Sequence, residues 1–159
     1  MSGEFDALMG ELDYPMFIVT TAAEGQLAGC LVGFATQASM DPSRFLVCIS
    51  KANRTYRVAW HADALAVHLV PDDAADLAEL FGGDTGDDVD KFARCEWSQG
   101  PRGLPVLERC RSWFAAQVLD RMDCGDHVAF LLDPFEAHAG ASSPFQFHRA
   151  KRIEPGHPA

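Results

Sequence analysis

At 159 residues, 48% hydrophobic and 23% charged, the chain has the size and balance of one folded domain that buries most of its surface without a metal or disulfide staple. A formal net charge of −10 argues against a nucleic-acid partner, because a phosphate backbone calls for a basic face. No apolar run approaches the roughly 20 residues of a membrane helix, so no membrane span is expected.

Residues 1–12 carry Glu4, Asp6 and Glu11 and no basic residue, unlike the cationic start of a secretory signal, and a cytoplasmic protein is expected. The whole chain reads as a single domain, 1–159, with 1–12 and 154–159 peripheral. Met16 to Thr21 is β-branched and aromatic; with the turn Ala23-Glu24-Gly25 it forms a hairpin with Gln26 to Phe34. A polar turn, Thr36-Gln37-Ala38-Ser39-Met40-Asp41-Pro42, separates this from a strand over Arg44 to Ser50. Asn53 then caps a short helix over Arg54 to His61, and Ala64 to Val70 returns as a strand.

Asp72 to Phe81, ended by Gly82-Gly83, reads as another short helix, and Asp87 to Ala93 as a further helical turn. Cys95 to Pro105 is loop-like. Strands follow at Ser112 to Met122, His127 to Asp133 and Phe135 to Ala139, with a last short one at Phe145 to His148. Six or seven strands with only short helices cannot build a doubly wound sheet; they predict a mainly β fold, a closed antiparallel barrel with helices plugging its ends.

The chemistry-bearing residues fall in few places. Lys51-Ala52-Asn53-Arg54-Thr55 offers a cap, two cations and a hydroxyl. It reads either as a capped helix with solvated cations or, with Thr36 to Ser39 one strand earlier, as half of a two-loop phosphate site. Gly125-Asp126-His127 is a turn in which His127 either starts a strand or, oriented by the carboxylate, meets a ring-bearing or anionic cofactor. The five cysteines are scattered, without a Cys-x-x-Cys pair, and read as reduced core thiols. His61, His68, His138 and His148 show no ligand spacing, so no metal is assigned. Nucleophile-elbow, Walker and Gly-x-Gly-x-x-Gly patterns are absent, which leaves the chemistry to a bound cofactor.

Several motifs in order carry a resemblance to a known family. Thr36 to Pro42 ends in Ser-x-Asp-Pro; Ser50-Lys51-Ala52-Asn53-Arg54-Thr55-Tyr56 follows one strand later. Leu77-Ala78-Glu79-Leu80-Phe81-Gly82-Gly83, Gly103-Leu104-Pro105-Val106-Leu107 and the Gly-Asp-His turn complete the set. From Tyr14 to about Arg152 the chain resembles the flavin reductase-like proteins with an FMN-binding split barrel.

The resemblance implies that Thr36, Gln37, Ala38 and Ser39 hold the isoalloxazine edge, that Ser50, Lys51, Asn53, Arg54 and Thr55 take the phosphate, and that Phe81 lies at the cofactor. It implies His127 as the catalytic-site residue beside the nicotinamide. The expected cofactor is FMN, with FAD as the other flavin, and NAD(P)H is the hydride donor. The expected assembly is a homodimer with flavin at the subunit interface, serving as the reductase component of a partner monooxygenase. The alternative is a non-catalytic split barrel that binds flavin, deazaflavin or haem. Gly33-Phe34 stands where relatives often carry two serines, and Phe145-Gln146-Phe147-His148-Arg149 lacks the usual glycine after the final aromatic, which brings His148 and Arg149 into consideration as ligand contacts.

Overall fold

The computed structural model describes residues 3–83 and 88–154. A short helix, α1 (Glu4–Glu11), buries none of its residues and precedes the hairpin of β1 (Phe17–Ala23) and β2 (Gln26–Val32). Glu24 and Gly25 both take positive φ, 53° and 77°, the tight two-residue turn whose twist matches a right-handed hairpin. Strands β3 (Ala35–Met40) and β4 (Ser43–Ser50) follow, then α2 (Arg54–Ala59), β5 (Ala64–Leu69) and α3 (Ala75–Gly83). After a 3-10 turn at Lys91–Ala93 come β6 (Trp97–Gln99), β7 (Pro105–Leu107), β8 (Trp113–Asp123), β9 (His127–His138) and α4 (Phe147–Ala150).

Seven strands pair antiparallel in the order β2-β1-β5-β8-β9-β4-β3. The inward residues of β2 (Cys30, Val32) pack in one cluster with those of β4 (Val47, Ile49) and β9 (Val128, Phe130, Leu132), although these strands lie toward opposite ends of that order. The sheet therefore curls on itself into a split antiparallel barrel with an apolar interior, as the strand count predicts.

Side chains alternate across each strand, so β1 serves two cores. Val19 points into the barrel, whereas Ile18 points outward and is covered with Met16, Leu77, Phe81 and Phe145 beneath α3 and α4. Burying each large apolar side chain contributes about 1.5–3 kcal/mol. Polar groups trapped between the layers are satisfied: Thr20 Oγ1 donates to Pro105 O at 2.6 Å and Thr21 Oγ1 to Ala64 O at 3.0 Å.

Four expectations require correction. Thr36 to Met40 is a strand, not a turn: β3 pairs with β4 from Ala35↔Val47 to Met40↔Ser43, and only the Asp41–Pro42 turn joins them. The break expected at Pro134 is absent, because β9 runs through it: Ala115 pairs with Glu136 and Ala116 with Pro134, so Phe135 is the extra residue of a bulge on β9 beside the proline, where a missing N–H costs least. Within Cys95 to Pro105, Trp97–Gln99 pairs with Pro105–Leu107 as a small second sheet.

At Phe145 to His148 the chain makes two bridging bonds, Met16 N–H to Phe145 O and Phe145 N–H to Val70 O, both 2.8 Å, and then turns into α4. The two predicted longer helices shift at their ends, α2 stopping at Ala59 and α3 starting at Ala75 and continuing through Gly82 and Gly83. Asp87, the start of the predicted 87–93 turn, and residues 155–159 of the expected tail lie outside the described residues. No described helix is long and apolar enough to cross a membrane.

Candidate functional site

Where β2 passes into β3, β4 ends and β9 begins, a cavity of about 230 Å³ opens at the barrel's end. Its apolar wall is Cys30, Leu31, Val32 and Ile49, with Phe81 and Gly82 from the end of α3; Ser50, Asn53 and His127 supply polar groups. Gly33-Phe34 forms the β2–β3 corner, and Phe147 and Lys151 approach from the C-terminal helix.

Local chemistry explains this placement. Ser50 and His127 are register partners of β4 and β9, and Lys51 N–H donates to Asp126 O at 2.9 Å, which fixes the two strand ends together. The chain then folds tightly: Asn53 N–H donates to Ser50 O at 3.0 Å, and Asn53 Oδ1 accepts from Thr55 N–H at 2.9 Å, the predicted cap of α2. Asn53 is thereby held at the cavity rim.

His127 is equally constrained. Its Nδ1 lies 2.7 Å from Asp126 Oδ1, and its ring lies 5.0 Å from that of Phe34. The hydrogen bond from His127 holds the Asp126 carboxyl below the usual carboxylate range. With Nδ1 occupied, Nε2 is the nitrogen that a ligand in the cavity would meet.

The remaining expected site residues separate. Thr55 is buried and, with Arg54, lines a neighbouring cavity of about 490 Å³ between Gly25–Gly29 and Asp88–Phe92. Arg54 donates to Leu27 O at 2.8 Å and to Gln26 Oε1 at 3.3 Å, and so is clasped to the first hairpin. Lys51 reaches the other way, Nζ 2.8 Å from Asp123 Oδ2; that bond raises the lysine pKa and lowers the aspartate's.

Thr36, Gln37, Ala38 and Ser39 line none of these cavities. They sit on the outer edge strand, where Thr36 Oγ1 donates to Gln37 O and Gln37 Nε2 to Ser39 O. Ser39 pairs with Arg44, so Ser50 lies further along β4 by about 20 Å at roughly 3.3 Å per residue. The fold thus brings together Ser50, Asn53, Phe81 and His127, and leaves the edge-strand quartet apart.

His148 and Arg149 also miss the cavity: His148 N–H donates to Asp13 Oδ1, and Arg149 Nη1 to Asp72 O at 2.7 Å. The C-terminal residues that do line it are Phe147, Ala150, Lys151 and Ile153, on either side of that pair.

Sequence reasoning also missed Lys91. Its ammonium is buried and donates to Gly29 O at 3.1 Å and Phe81 O at 2.9 Å, tying β2 to the end of α3. Gly29 permits this closeness, because a Cβ there would come within 2.8 Å of the Phe81 ring. A lone lysine in an acidic stretch gives no signal of such a role.

Neither thiol chemistry nor metal chemistry is evident. Burial pushes the Cys30 thiol, on the cavity wall, up to about 11, and that of Cys110 up to about 12. No disulfide joins the described cysteines, and no group of three potential ligands forms a metal cluster among the described residues.

Comparison with known proteins agrees with this architecture. The chain is 31% identical over 114 residues to the stachydrine N-demethylase reductase subunit of Rhizobium meliloti, covering 69% of this chain and 48% of that protein. It is 30% identical over 110 residues to the FMN reductase (NADH) of Bradyrhizobium diazoefficiens, covering 69% and 61%. The chain thus spans about half to three-fifths of the length of these two relatives. The crystal structure of a flavin reductase domain protein from Arthrobacter superposes with a TM-score of 0.85 at 18% identity, covering all of this chain and 96% of the other, and supports the fold. The profile described as the flavin reductase like domain matches residues 9–153, and on that match over nearly all of its length the chain belongs to the flavin reductase-like family.

Proposed function

We propose that the protein is an NAD(P)H-dependent flavin reductase that binds FMN, with FAD as the other accepted flavin, in the cavity at the barrel's end. The observation that carries this reading is the composition of that cavity: an apolar wall, the hydroxyl and amide of Ser50 and Asn53, and a histidine held by its own carboxylate. An apolar slot with few convergent polar groups suits a flat heteroaromatic ring with a polar tail. The kinship with the FMN reductase (NADH) of Bradyrhizobium supports the same cofactor and donor.

In this reading Ser50 and Asn53 receive the phosphate at the cavity, Thr55, Lys51 and Arg54 brace that segment from outside it, and Phe81 and the Gly33-Phe34 corner border the ring. When bound, the flavin supplies the hydride acceptor. The protein's own contribution is position and exclusion of water. His127, its Nδ1 engaged by Asp126, presents Nε2 as an acceptor for an amide N–H such as that of a nicotinamide carboxamide. The Cys30 thiol, kept protonated by burial, takes no part as a nucleophile.

A volume of about 230 Å³ falls below the roughly 300–1,000 Å³ of complete small-molecule sites, so one protomer supplies only part of the enclosure. The edge strand β3, with exposed Thr36, Gln37 and Ala38 and a fully projecting Met40, supplies the rest in our reading by lying against the cavity of a second copy in a homodimer. This keeps Thr36 to Ser39 as ring contacts, donated across the interface. Reduced flavin then serves a partner oxygenase, as the kinship with a demethylase reductase subunit suggests.

The test is a titration of the purified protein with FMN followed by anaerobic addition of NADH or NADPH. Binding together with bleaching of the flavin band supports a reductase, whereas binding without bleaching leaves a flavin carrier. Absence of binding removes the proposal.

A further inference from the structure

The cations placed by sequence next to the phosphate segment point elsewhere. Lys51 lies on Asp123, and Arg54 is clasped to Leu27 O and Gln26 Oε1. Among the described residues no carboxylate lines the barrel-end cavity, and the one lysine or arginine that lines it is Lys151 at the C-cap of α4. Its ammonium has no carboxylate partner among the described residues and lies 5.9 Å from the Phe147 ring.

The platform beneath it is firm. Phe147 stacks on Tyr14 at 4.7 Å and 13°, Phe147 N–H donates to Tyr14 O at 2.8 Å, and Lys151 N–H donates to Phe147 O at 2.9 Å. The backbone of Lys151 is therefore fixed while its four-carbon stem carries a mobile point charge, a form suited to a phosphoryl group. In a chain of net charge −10, an anionic nucleotide approaches against an unfavourable mean field, so a cation at the cavity acts on both encounter and retention.

We infer that Lys151 is the cation that receives a phosphoryl anion of the nucleotide bound in this cavity. The inference rests on the flavin-binding reading and deepens it by placing the decisive charge on the C-terminal helix instead of the segment after β4. The anion comes from one of two sources, the phosphate of the flavin nucleotide or the pyrophosphate of the nicotinamide donor.

Two pairs of probes separate these sources. Full-length protein, Lys151→Gln and Lys151→Arg are titrated by flavin fluorescence with FMN and with riboflavin, which lacks the phosphate. KM is then measured, with riboflavin as acceptor, for NADH and for dihydronicotinamide riboside, which has no phosphate. For a single exposed charge contact, Lys151→Gln is expected to weaken the phosphate-bearing member of one pair by about three- to five-fold and to leave its counterpart unchanged. Lys151→Arg restores the value, and raising the salt narrows the difference.

A change confined to FMN assigns the flavin phosphate, and one confined to NADH assigns the donor. Equal affinities in wild type and Lys151→Gln for all four probes overturn the inference and leave the flavin reading standing. A wild-type protein that binds neither flavin overturns both.

Discussion

His68 gives the sharpest test of how the barrel is held together. It is fully buried on β5; its Nδ1 donates to Ile18 O at 2.9 Å and its Nε2 accepts from Leu107 N–H at 3.1 Å, so a neutral ring ties β1 and β5 to β7. Burial pushes its pKa down from 6.5 to about 4, and the Ile18 carbonyl only partly opposes the shift. The unfolded chain binds this proton below about pH 6.5, whereas the folded chain resists it until about pH 4. Stability from the neutral imidazole is thus complete above the unfolded value and is lost as pH falls through that window.

At about 1.36 kcal/mol per pKa unit, the full effect is about 3 kcal/mol, most of it gone by about pH 4.5. Carboxylates titrate in the same range, so the assay is a difference. Urea unfolding of wild type and His68→Gln is compared at about pH 7.5 and about pH 4.5, because glutamine can donate and accept without taking a proton. Wild type should lose about 2 to 3 kcal/mol more than the variant on acidification. Equal losses would refute the assignment of a neutral, structural His68.

Three further predictions concern the site and its support. Replacing His127 by alanine should raise KM for the nicotinamide donor more than it raises Kd for flavin; equal effects would indicate a purely structural histidine. Asn53→Ala, which removes the bond to Thr55 N–H, should weaken FMN binding by about ten-fold, as one hydrogen bond to a charged group is worth about 1.5 to 3 kcal/mol, with little change for riboflavin. Lys91→Met leaves Gly29 O and Phe81 O without their donor and should destabilise the fold by about 1 to 3 kcal/mol in chemical denaturation, with α3 the first element to lose hydrogen-exchange protection.

Local signals were enough for some elements and not for others. Glu24-Gly25 and the flanking β-branched runs specify the first hairpin, and Asn53 before Arg54 specifies the cap of α2; both depend only on neighbours in sequence. Strand β3 carries Thr-Gln-Ala-Ser, which lacks apolar weight, in keeping with its largely exposed position. Pairing with β4, a tertiary event, makes it a strand. Pro134 reads as a stop until the bulge beside it at Phe135 on β9 is known.

The site divides in the same way. The shared cavity position of Ser50, Asn53 and His127 follows from a strand end, a cap and a turn, which are local features. Lys151 and Phe147 reach the same cavity from the far end of the chain, through the bridging bonds of Phe145 to Met16 and Val70, and no periodicity announces that contact. Arg54 and Lys51 stand next to the cap in sequence, yet their direction is set by Leu27 O and Asp123, partners that only the folded barrel supplies.

The flavin reading as a whole turns on occupancy of the barrel-end cavity, and site-resolved FMN binding tests that most directly. In amide spectra recorded during an FMN titration, flavin in this cavity shifts Gly33, Phe34, Ser50, Asn53 and His127 in step with the saturating flavin fluorescence change. Saturable FMN binding that leaves those amides unmoved, with shifts gathered elsewhere on the barrel, would contradict it.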